Sequence, residues 1–299
     1  MAKGDALYQT FDDRFAPLTH GDVRLEQIYG DCRWAEGPAY FAAGRYFVWS
    51  DIPNDRILRW DETTGEVGVL RHPAGYTNGH TVDREGRLVS CEHGGRRVSR
   101  TEHDGSVSTL ADSYQGKRLN SPNDVVVKSD GSIWFTDPAY GIDSDYEGFA
   151  AESEIGTCNV YRIDPATGEI RVVADQLDRP NGLAFSLDEQ QLYVSDSHNN
   201  NMWRFDVDPV GKLTAGSIFA TCTEGCFDGF RLDSAGRIWS SAADGVHCLD
   251  AEGTLLGKIL VPETVANIVF GGRKRNDLFI CATTSVYTVR VSATGAKLH

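Results

Sequence analysis

The chain has 299 residues, of which 40% are hydrophobic and 10% aromatic, so it can bury a large core and is not a disordered protein. Its formal net charge of −14 argues against a nucleic-acid or membrane-surface partner, because phosphate binding relies on clustered Lys and Arg. The segment from Met1 to Phe15 carries acidic residues and lacks the apolar stretch of a secretory signal. We therefore expect a cytoplasmic protein whose ligand is a cation or a neutral polar solute.

The cysteines indicate reduced thiols. They are odd in number and scattered along the chain, which does not fit a disulfide framework. Cys222 and Cys226 are closely spaced, but no second pair or histidine spacing completes a zinc site. The seven are Cys32, Cys91, Cys158, Cys222, Cys226, Cys248 and Cys281.

Short β-rich runs separated by Gly, Asn and Asp turns extend from about residue 36 to about residue 291, with no helical period of useful length. One piece recurs, a strand that ends in a small or acidic residue, at residues 46–51, 87–92, 133–137, 191–196, 237–241 and 277–282. A shorter strand precedes each copy, and most copies are followed by further strands. Four strands per unit, at a period of roughly 40 to 60 residues, predict an all-β fold, a six-bladed β-propeller with four-stranded antiparallel blades.

We expect the blades to form a single domain over residues 1–299. Their first strands are predicted to begin near Glu36, Asn78, Asn123, Asn181, Asp228 and Asn267. Residues 22–29 are predicted to be an additional strand that completes the last blade and closes the ring. The third unit is interrupted by residues 139–157, which are rich in Gly, Asp, Glu and Tyr. Such an insertion on a scaffold with short loops is typical of a functional loop, here a lid over the channel mouth.

The residues that begin the predicted first strands are mostly polar. In a propeller the first strand of every blade lines the central channel, so these residues meet at one mouth. Glu36, Asn123, Asn181 and Asp228 together offer two carboxylates and two carboxamides. Asn-Gly and Asp-Gly pairs are also common hairpin turns, but Asn181 and Asp228 precede a strand instead of following one. A cage made only of oxygen ligands suits Ca²⁺, Mg²⁺ or Mn²⁺.

Other polar residues near the same mouth have two interpretations. Four carboxylates at the ends of second strands are interpreted as solvating the strand end or forming hydrogen bonds between blades: Asp51, Glu92, Asp137 and Asp196. For Asp51 and Asp196, the alternative is that they orient metal ligands. His80 follows the start of the second blade and either contacts a substrate or lies in solvent. One charged cluster is instead predicted to be a surface hairpin: His93, Arg96 and Arg97.

In combination, these motifs resemble the gluconolactonase and senescence-marker-protein (regucalcin) family, over about Val23 to Val291. That family includes bacterial sugar lactonases and is related in architecture to diisopropyl-fluorophosphatase. Ser121 stands where regucalcin-like members carry an arginine, and Asn78-Gly-His80 is more similar to bacterial gluconolactonase-type members. The shared motifs are Glu36-Gly-Pro, Ser121-Pro-Asn-Asp124, Phe135-Thr-Asp-Pro138, Tyr161-Arg-Ile-Asp164, Pro180-Asn-Gly182 and Asp228-Gly229.

The resemblance implies one divalent cation bound by Glu36, Asn181 and Asp228, with Asp228 also acting as the general acid or base. Ca²⁺ is the first expectation, and Mg²⁺, Mn²⁺, Zn²⁺ or Fe²⁺ are alternatives. The substrate contacts that we expect are Asn123, His80, Asp137 and Tyr140, the last at the start of the insertion.

The predicted activity is metal-dependent hydrolysis of a sugar lactone to its aldonic acid, a carboxylic-ester hydrolase reaction. The sequence has no Gly-x-Ser-x-Gly, His-Glu-x-x-His or phosphate-binding Gly-rich motif, so hydrolysis would depend on the metal. One alternative keeps the site and changes the substrate to a phosphotriester or fluorophosphate. Another is a non-catalytic interaction scaffold, which predicts a partner surface and no metal dependence.

Overall fold

The computed structural model describes residues 7–297, and it is almost entirely β-structure. Six antiparallel sheets of at least four strands surround one axis, so the predicted six-bladed propeller is confirmed. Residues 1–6, which belong to the segment predicted to lack a secretory signal, lie outside the described residues. Within residues 7–297, no helix has both the length and the apolar character needed to cross a membrane.

In the first three blades, the strands follow one another from the axis outward in chain order. Blade 1 consists of Ala35–Phe41, Tyr46–Asp51, Arg56–Asp61 and Val67–Arg71. Blade 2 consists of Thr77–Val82, Leu88–Glu92, Arg97–Thr101 and Val107–Ala111. Blade 3 consists of Val125–Val127, Ile133–Asp137, Asn159–Ile163 and Ile170–Ala174.

The remaining blades continue this order, and the last blade takes its outermost strand from the N-terminal part of the chain. Blade 4 consists of Pro180–Phe185, Gln191–Asp196, Asn201–Val207 and Leu213–Thr221. Blade 5 consists of Phe230–Leu232, Ile238–Ala242, Gly245–Leu249 and Leu255–Leu260. Blade 6 consists of Val265–Gly271, Asp277–Ala282, Ser285–Arg290 and Glu26–Tyr29.

Two N-terminal strands attach to the outer edges of different blades. Glu26–Tyr29 pairs antiparallel with Ser285–Arg290 and joins the start of the ring to its end. Tyr8–Thr10 pairs with Leu255–Leu260 and gives blade 5 a fifth strand, which the sequence analysis did not predict. Three residues are too few to show an alternating pattern, so this strand exists because of its partner.

Few elements lie outside the blades. Short 3₁₀ turns follow the second strands of blades 1 and 4, at Ile52–Asn54 and Ser197–Asn199. A small hairpin, Ser113–Tyr114 with Lys117–Arg118, connects blades 2 and 3. The insertion in blade 3 contains the helix Tyr140–Asp143. The core lies between neighbouring blades, and it buries the large side chains of Trp49, Trp134 and Trp239 completely.

Candidate active site

The inner strands approach one another so closely at one mouth of the channel that glycine is required there. Gly37 has a φ of +57°, and a Cβ at this position would collide with the carbonyl group of Asn78 in the next blade. A Cβ at Gly182 would likewise collide with the carbonyl group of Asp228. The structure thereby brings six residues together around the axis, here called the ring residues: Glu36, Asn78, Asn123, Asn181, Asp228 and Asn267.

Glu36 is a buried carboxylate of this ring, with 3% of its surface exposed. Its Oε2 atom accepts hydrogen bonds from the amide of Gly37 and, at 3.1 Å, from the Nδ2 atom of Asn267. Burial raises the pKa of Glu36 above its usual range, and the negative charge of Asp124 raises it further, while both hydrogen bonds act in the opposite direction.

Asp228 is the second carboxylate of the ring residues, and it is partly buried. Burial raises its pKa well above the usual range, the negative charges of Glu36 and Asp124 add to this, and a hydrogen bond from Asn181 opposes it. Its Oδ1 atom is buried and has no hydrogen-bond partner in the described part of the chain. The buried carboxylate of Glu36, beside a second carboxylate with a buried and unsatisfied oxygen, is costly unless a cation neutralises the pair.

The donor set therefore fits a hard divalent cation. Glu36, Asn181 and Asp228 supply carboxylate and carboxamide oxygens, the ligand types that Ca²⁺ and Mg²⁺ prefer. Between residues 7 and 297, no three His, Cys, Asp or Glu side chains form a metal-binding group. The candidate set instead combines two carboxylates with one carboxamide, and this set of oxygen donors argues against a soft metal.

Asp124 is a further buried carboxylate near the axis, and the sequence analysis did not single it out. Its Oδ2 atom lies 3.4 Å from Nη1 of Arg231, which reaches across from the inner strand of blade 5. Its Oδ1 atom accepts the amide hydrogen of Val125 at 2.9 Å. The protein itself thus compensates this charge, and the only sequence signal was its position directly after Asn123.

Three aspartates at the ends of second strands hold the loops that lead into the ring. Each accepts the backbone N–H groups of the residues three and two positions before a ring residue, at 2.8–3.4 Å. We call them the loop-holding aspartates: Asp51 before Glu36, Asp137 before Asn123, and Asp196 before Asn181. Asp137 was predicted to contact substrate, but the structure places it fully buried, with both oxygens bound to backbone amides.

The residue before each of these aspartates carries a hydroxyl group that contacts the ring residue of the next blade around the axis. Ser50 donates to the carbonyl group of Asn78 at 2.8 Å. Thr136 donates to that of Asn181, and Ser195 to that of Asp228, both at 2.7 Å. We call Ser50, Thr136 and Ser195 the bridging hydroxyls. In each Ser/Thr-Asp pair, the aspartate therefore holds the loop before the ring residue of its own blade, and the hydroxyl holds the ring residue of a neighbouring blade.

His80 lies in the wall between blades 1 and 2. Its Nε2 atom is 2.9 Å from the hydroxyl of Ser50 and its Nδ1 atom 2.8 Å from that of Ser90. Burial lowers the pKa of His80 to about 3, so the ring is neutral. Both ring nitrogens are engaged within the protein, which corrects the expected substrate contact to a structural role.

The insertion, residues 139–157 and here called the lid segment, is tied to the loop that carries Asn123. The hydroxyl of Ser121 donates to the carbonyl group of Pro138 at 2.7 Å and accepts the amide hydrogen of Gly141 at 2.9 Å. Tyr140 lies against the guanidinium group of Arg179, 5.0 Å from its ring centroid. Burial raises the pKa of Tyr140, and the negative charge of Asp228 raises it further. The side chain of Tyr140 therefore lies close to the ring residues.

The lid segment also contacts the loops of other blades. The guanidinium group of Arg33 in blade 1 lies 4.9 Å from the ring centroid of Tyr146. The ring of Tyr76 in blade 2 packs against that of Phe149 at 5.3 Å. Because the lid segment starts in blade 3 and reaches these loops, it extends over the mouth where the ring residues lie.

The prediction of a charged surface hairpin at residues 93–97 is wrong for two of its members. His93 is fully buried and Arg96 is 6% exposed. A Cβ at Gly141 would collide with the side chain of His93, so the lid segment packs directly on this histidine. Arg96 donates from Nε to the carbonyl group of Leu119 at 2.7 Å. A hairpin pattern alone cannot show that a segment from another blade covers it.

Comparison with known proteins decides the family. Residues 34–284 match the family model described as SMP-30/Gluconolactonase/LRE-like region. The chain belongs to this family. The family indicated by the sequence motifs is thus confirmed.

Individual members of the family are similar over nearly their whole length. A gluconolactonase of Zymomonas mobilis is 30% identical over 314 residues, which cover 95% of this chain and 86% of that protein. A pentonolactonase of Haloferax volcanii is 30% identical and covers 83% of this chain and 81% of its own. The solved structure of a gluconolactonase from Xanthomonas campestris has a TM-score of 0.91 and 40% identity, covering 96% of this chain and 95% of its own.

Proposed function

We propose that the protein hydrolyses a sugar lactone to its aldonic acid with one divalent cation held by Glu36, Asn181 and Asp228. The observation that carries this proposal is the buried Oδ1 atom of Asp228, which has no partner in the described residues and lies beside the buried carboxylate of Glu36. Similarity over most of the chain to proteins named gluconolactonase and pentonolactonase supports the substrate class.

The side chains of the ring residues have different roles in the proposed reaction. When bound, a divalent cation would polarise the ester carbonyl group and stabilise the negative charge that develops on its oxygen. Asp228 has two carboxylate oxygens, so one can serve as a ligand while the other accepts a proton from the attacking water. The water oxygen forms a bond to the carbonyl carbon, the C–O bond of the lactone ring breaks, and the proton held by Asp228 passes to the departing oxygen, which becomes a hydroxyl group. Asn123 would orient the lactone with its carboxamide.

The charge around the site favours turnover of a neutral ester. Asp124 and Glu147 each add a negative charge close enough to raise the pKa of Asp228. A neutral lactone does not feel net repulsion from these carboxylates, whereas the aldonate product carries its own negative charge.

A substrate panel with controlled metal content tests the proposal. Glucono-1,5-lactone, xylonolactone and paraoxon are followed in a pH-stat with metal-stripped protein and after adding back Ca²⁺, Mg²⁺, Mn²⁺ or Zn²⁺. We expect acid release from the lactones only after metal is restored. Faster turnover of paraoxon would favour the phosphotriester alternative, and inactivity on all three with every cation would favour a non-catalytic scaffold.

A further inference from the structure

Arg231 crosses the central channel from blade 5 to blade 3. It lies in the inner strand Phe230–Leu232, and its Nη1 atom is 3.4 Å from Oδ2 of Asp124. Blade 4 stands between these two blades in the ring, so a contact between their inner strands must run across the channel. Asp124 directly follows the ring residue Asn123. The ion pair therefore lies next to the candidate cation site.

Asp124 is a buried carboxylate whose charge depends on Arg231. Its side chain is 2% exposed, and no other Lys, Arg or His side chain among residues 7–297 forms an ion pair with it. A Cβ at Gly79 would lie 2.7 Å from Oδ1 of Asp124, so the inner strand of blade 2 packs directly on this carboxylate. A carboxylate at this depth stays ionised only beside a positive charge.

The two ring carboxylates, Glu36 and Asp228, have no such counterion. In the part of the chain that the structure describes, no cationic side chain forms an ion pair with either of them, so their charge is left for a bound cation. The negative charge of Asp124 reaches the same place, because it raises the pKa of both carboxyl groups. Without Arg231, a bound cation would face an additional uncompensated carboxylate.

We propose that Arg231 is a positioning residue that neutralises the charge of Asp124, so that the charge of the bound cation remains available to the substrate. This inference rests on the proposed function and concerns the electrostatic balance of the same site. An uncompensated Asp124 would attract the cation more strongly, but it would also oppose the negative charge that develops on the carbonyl oxygen of the lactone. Arg231 thus lowers cation affinity and raises turnover.

Substitution of Arg231 separates this role from a purely structural one, because the two predict opposite changes in cation affinity. Metal-stripped protein is titrated with Ca²⁺ by calorimetry, and kcat for glucono-1,5-lactone is measured at saturating Ca²⁺. In Arg231→Met we expect the Kd for Ca²⁺ and kcat each to fall about 10-fold. Arg231→Lys keeps the charge, so both values should stay within about threefold of the wild type. A Kd in Arg231→Met equal to or above that of the wild type would overturn the inference.

The double variant Asp124→Asn/Arg231→Met removes both charges together. Asp124→Asn alone leaves Arg231 uncompensated beside the site and should raise the Kd for Ca²⁺ about 10-fold. The double variant should return Kd and kcat to within about threefold of the wild type, because the balance of charge is restored without the ion pair. If Arg231→Met does not fold, the difference between Asp124→Asn and the double variant carries the same test. A double variant no better than its parents would contradict the proposed role.

Arg237→Met is the matched control, because Arg237 also pairs with a buried carboxylate of blade 5. Its Nε atom is 2.7 Å from Oδ2 of Asp233, in the turn that follows the inner strand, at the end away from Asp228. This variant should keep the wild-type Kd and kcat, and an equal shift in both arginine variants would also count against the inference. A wild type that binds no cation or opens no lactone would instead overturn the proposed function itself.

Discussion

Blades 1, 3 and 4 hold their ring residues in one way and blade 5 in another. In the first group a loop-holding aspartate accepts hydrogen bonds from backbone N–H groups of the loop that precedes the ring residue. In blade 5 the second strand ends at Ala242, and neutral hydroxyl groups hold the backbone of Asp228. Its amide donates to Ser241 at 3.1 Å, and Ser195 donates to its carbonyl group at 2.7 Å.

The difference follows the charge of the residue that is held. Asn123 and Asn181 are neutral, so an aspartate behind each adds no repulsion between charges. Behind Glu36, the charge of Asp51 is compensated by Arg56, whose Nε atom is 2.8 Å from its carboxylate. A carboxylate behind Asp228 would face an acid that already feels several negative charges. Hydroxyl groups fix the position of Asp228 without this penalty.

The largest expected effect comes from Asp228 itself. Glu36→Gln and Asp228→Asn each remove one negative ligand, so at saturating cation both should lose activity to the same degree if each residue only binds metal. The proposed proton transfer belongs to Asp228 alone and typically contributes ~10²- to 10⁴-fold. We expect kcat of Asp228→Asn to be at least about 100-fold below that of Glu36→Gln, with metal occupancy checked by calorimetry. Equal kcat at equal occupancy would assign the base to another group.

A loop-holding aspartate should affect the site through metal affinity. Asp196→Asn removes the charged acceptor from the amides of Asp178 and Arg179 and loosens the loop that ends at Asn181. Residues that orient metal ligands typically contribute ~10- to 100-fold in affinity, so we expect a loss in that range in calorimetric titrations. Asp188→Asn is the control, because Asp188 accepts similar bonds in a turn of the same blade but precedes no ring residue. An unchanged affinity in Asp196→Asn would show that the loop is fixed without it.

His80 marks a third kind of blade contact, and it should make stability depend on pH. Its pKa is about 3 in the folded protein and near 6.5 when unfolded, so the unfolded chain binds a proton that the folded chain excludes. Stability from this group is therefore complete above about pH 6.5 and is lost as the pH falls towards 3. Between pH 7 and pH 4.5, the free energy of unfolding measured in urea should decrease by about 2 kcal/mol less in His80→Gln than in the wild type.

The control for this titration is His198→Gln, because His198 has 61% of its side chain exposed. Its unfolding free energy should follow the wild-type pH dependence, since most of this side chain lies in solvent. Parallel curves for His80→Gln and the wild type would mean that the folded protein accommodates a charged His80.

The bridging hydroxyls should give the smallest change. Thr136→Val keeps the side-chain shape but removes the donor to the carbonyl group of Asn181 and the acceptor of the Asp124 amide hydrogen. Loss of these bonds should cost about 1 to 2 kcal/mol, seen as a decrease in Tm of a few degrees by calorimetry. Thr221→Val removes a hydroxyl group whose hydrogen bond to Oδ1 of Asn201 is exposed to solvent, so the Tm of this variant should stay close to that of the wild type. A similar Tm for both variants would show that water replaces the bridging bond.

The sequence predicted the blades and the order of the ring because both depend on local patterns. Strand and turn signals repeat in every blade, and the glycine after Glu36, Asn181 or Asp228 marks a close approach between blades. The same signals placed Asn123 in register. These features require only the residue types within a few positions, which a single sequence displays directly.

Contacts between distant segments were not visible in this way. The burial of His93 depends on Gly141 of the lid segment, and the pairing of Asp124 depends on Arg231, 107 positions later in the chain. The role of Asp137 depends on backbone N–H groups, which every residue except proline carries and no side-chain pattern reveals. Such partners follow from how the blades are arranged in space.

The pairing of Glu26–Tyr29 with Ser285–Arg290 affects how the protein folds during its synthesis on the ribosome. Blades 1 to 4 can form one after another as they emerge, since their strands are sequential. The N-terminal strand must wait until the last blade is made, which takes tens of seconds at about 5–20 residues per second. During that interval, an unpaired strand edge is exposed to neighbouring nascent chains. Completion of the ring therefore depends on a late event of translation, and anything that shields this edge would raise the yield of folded protein.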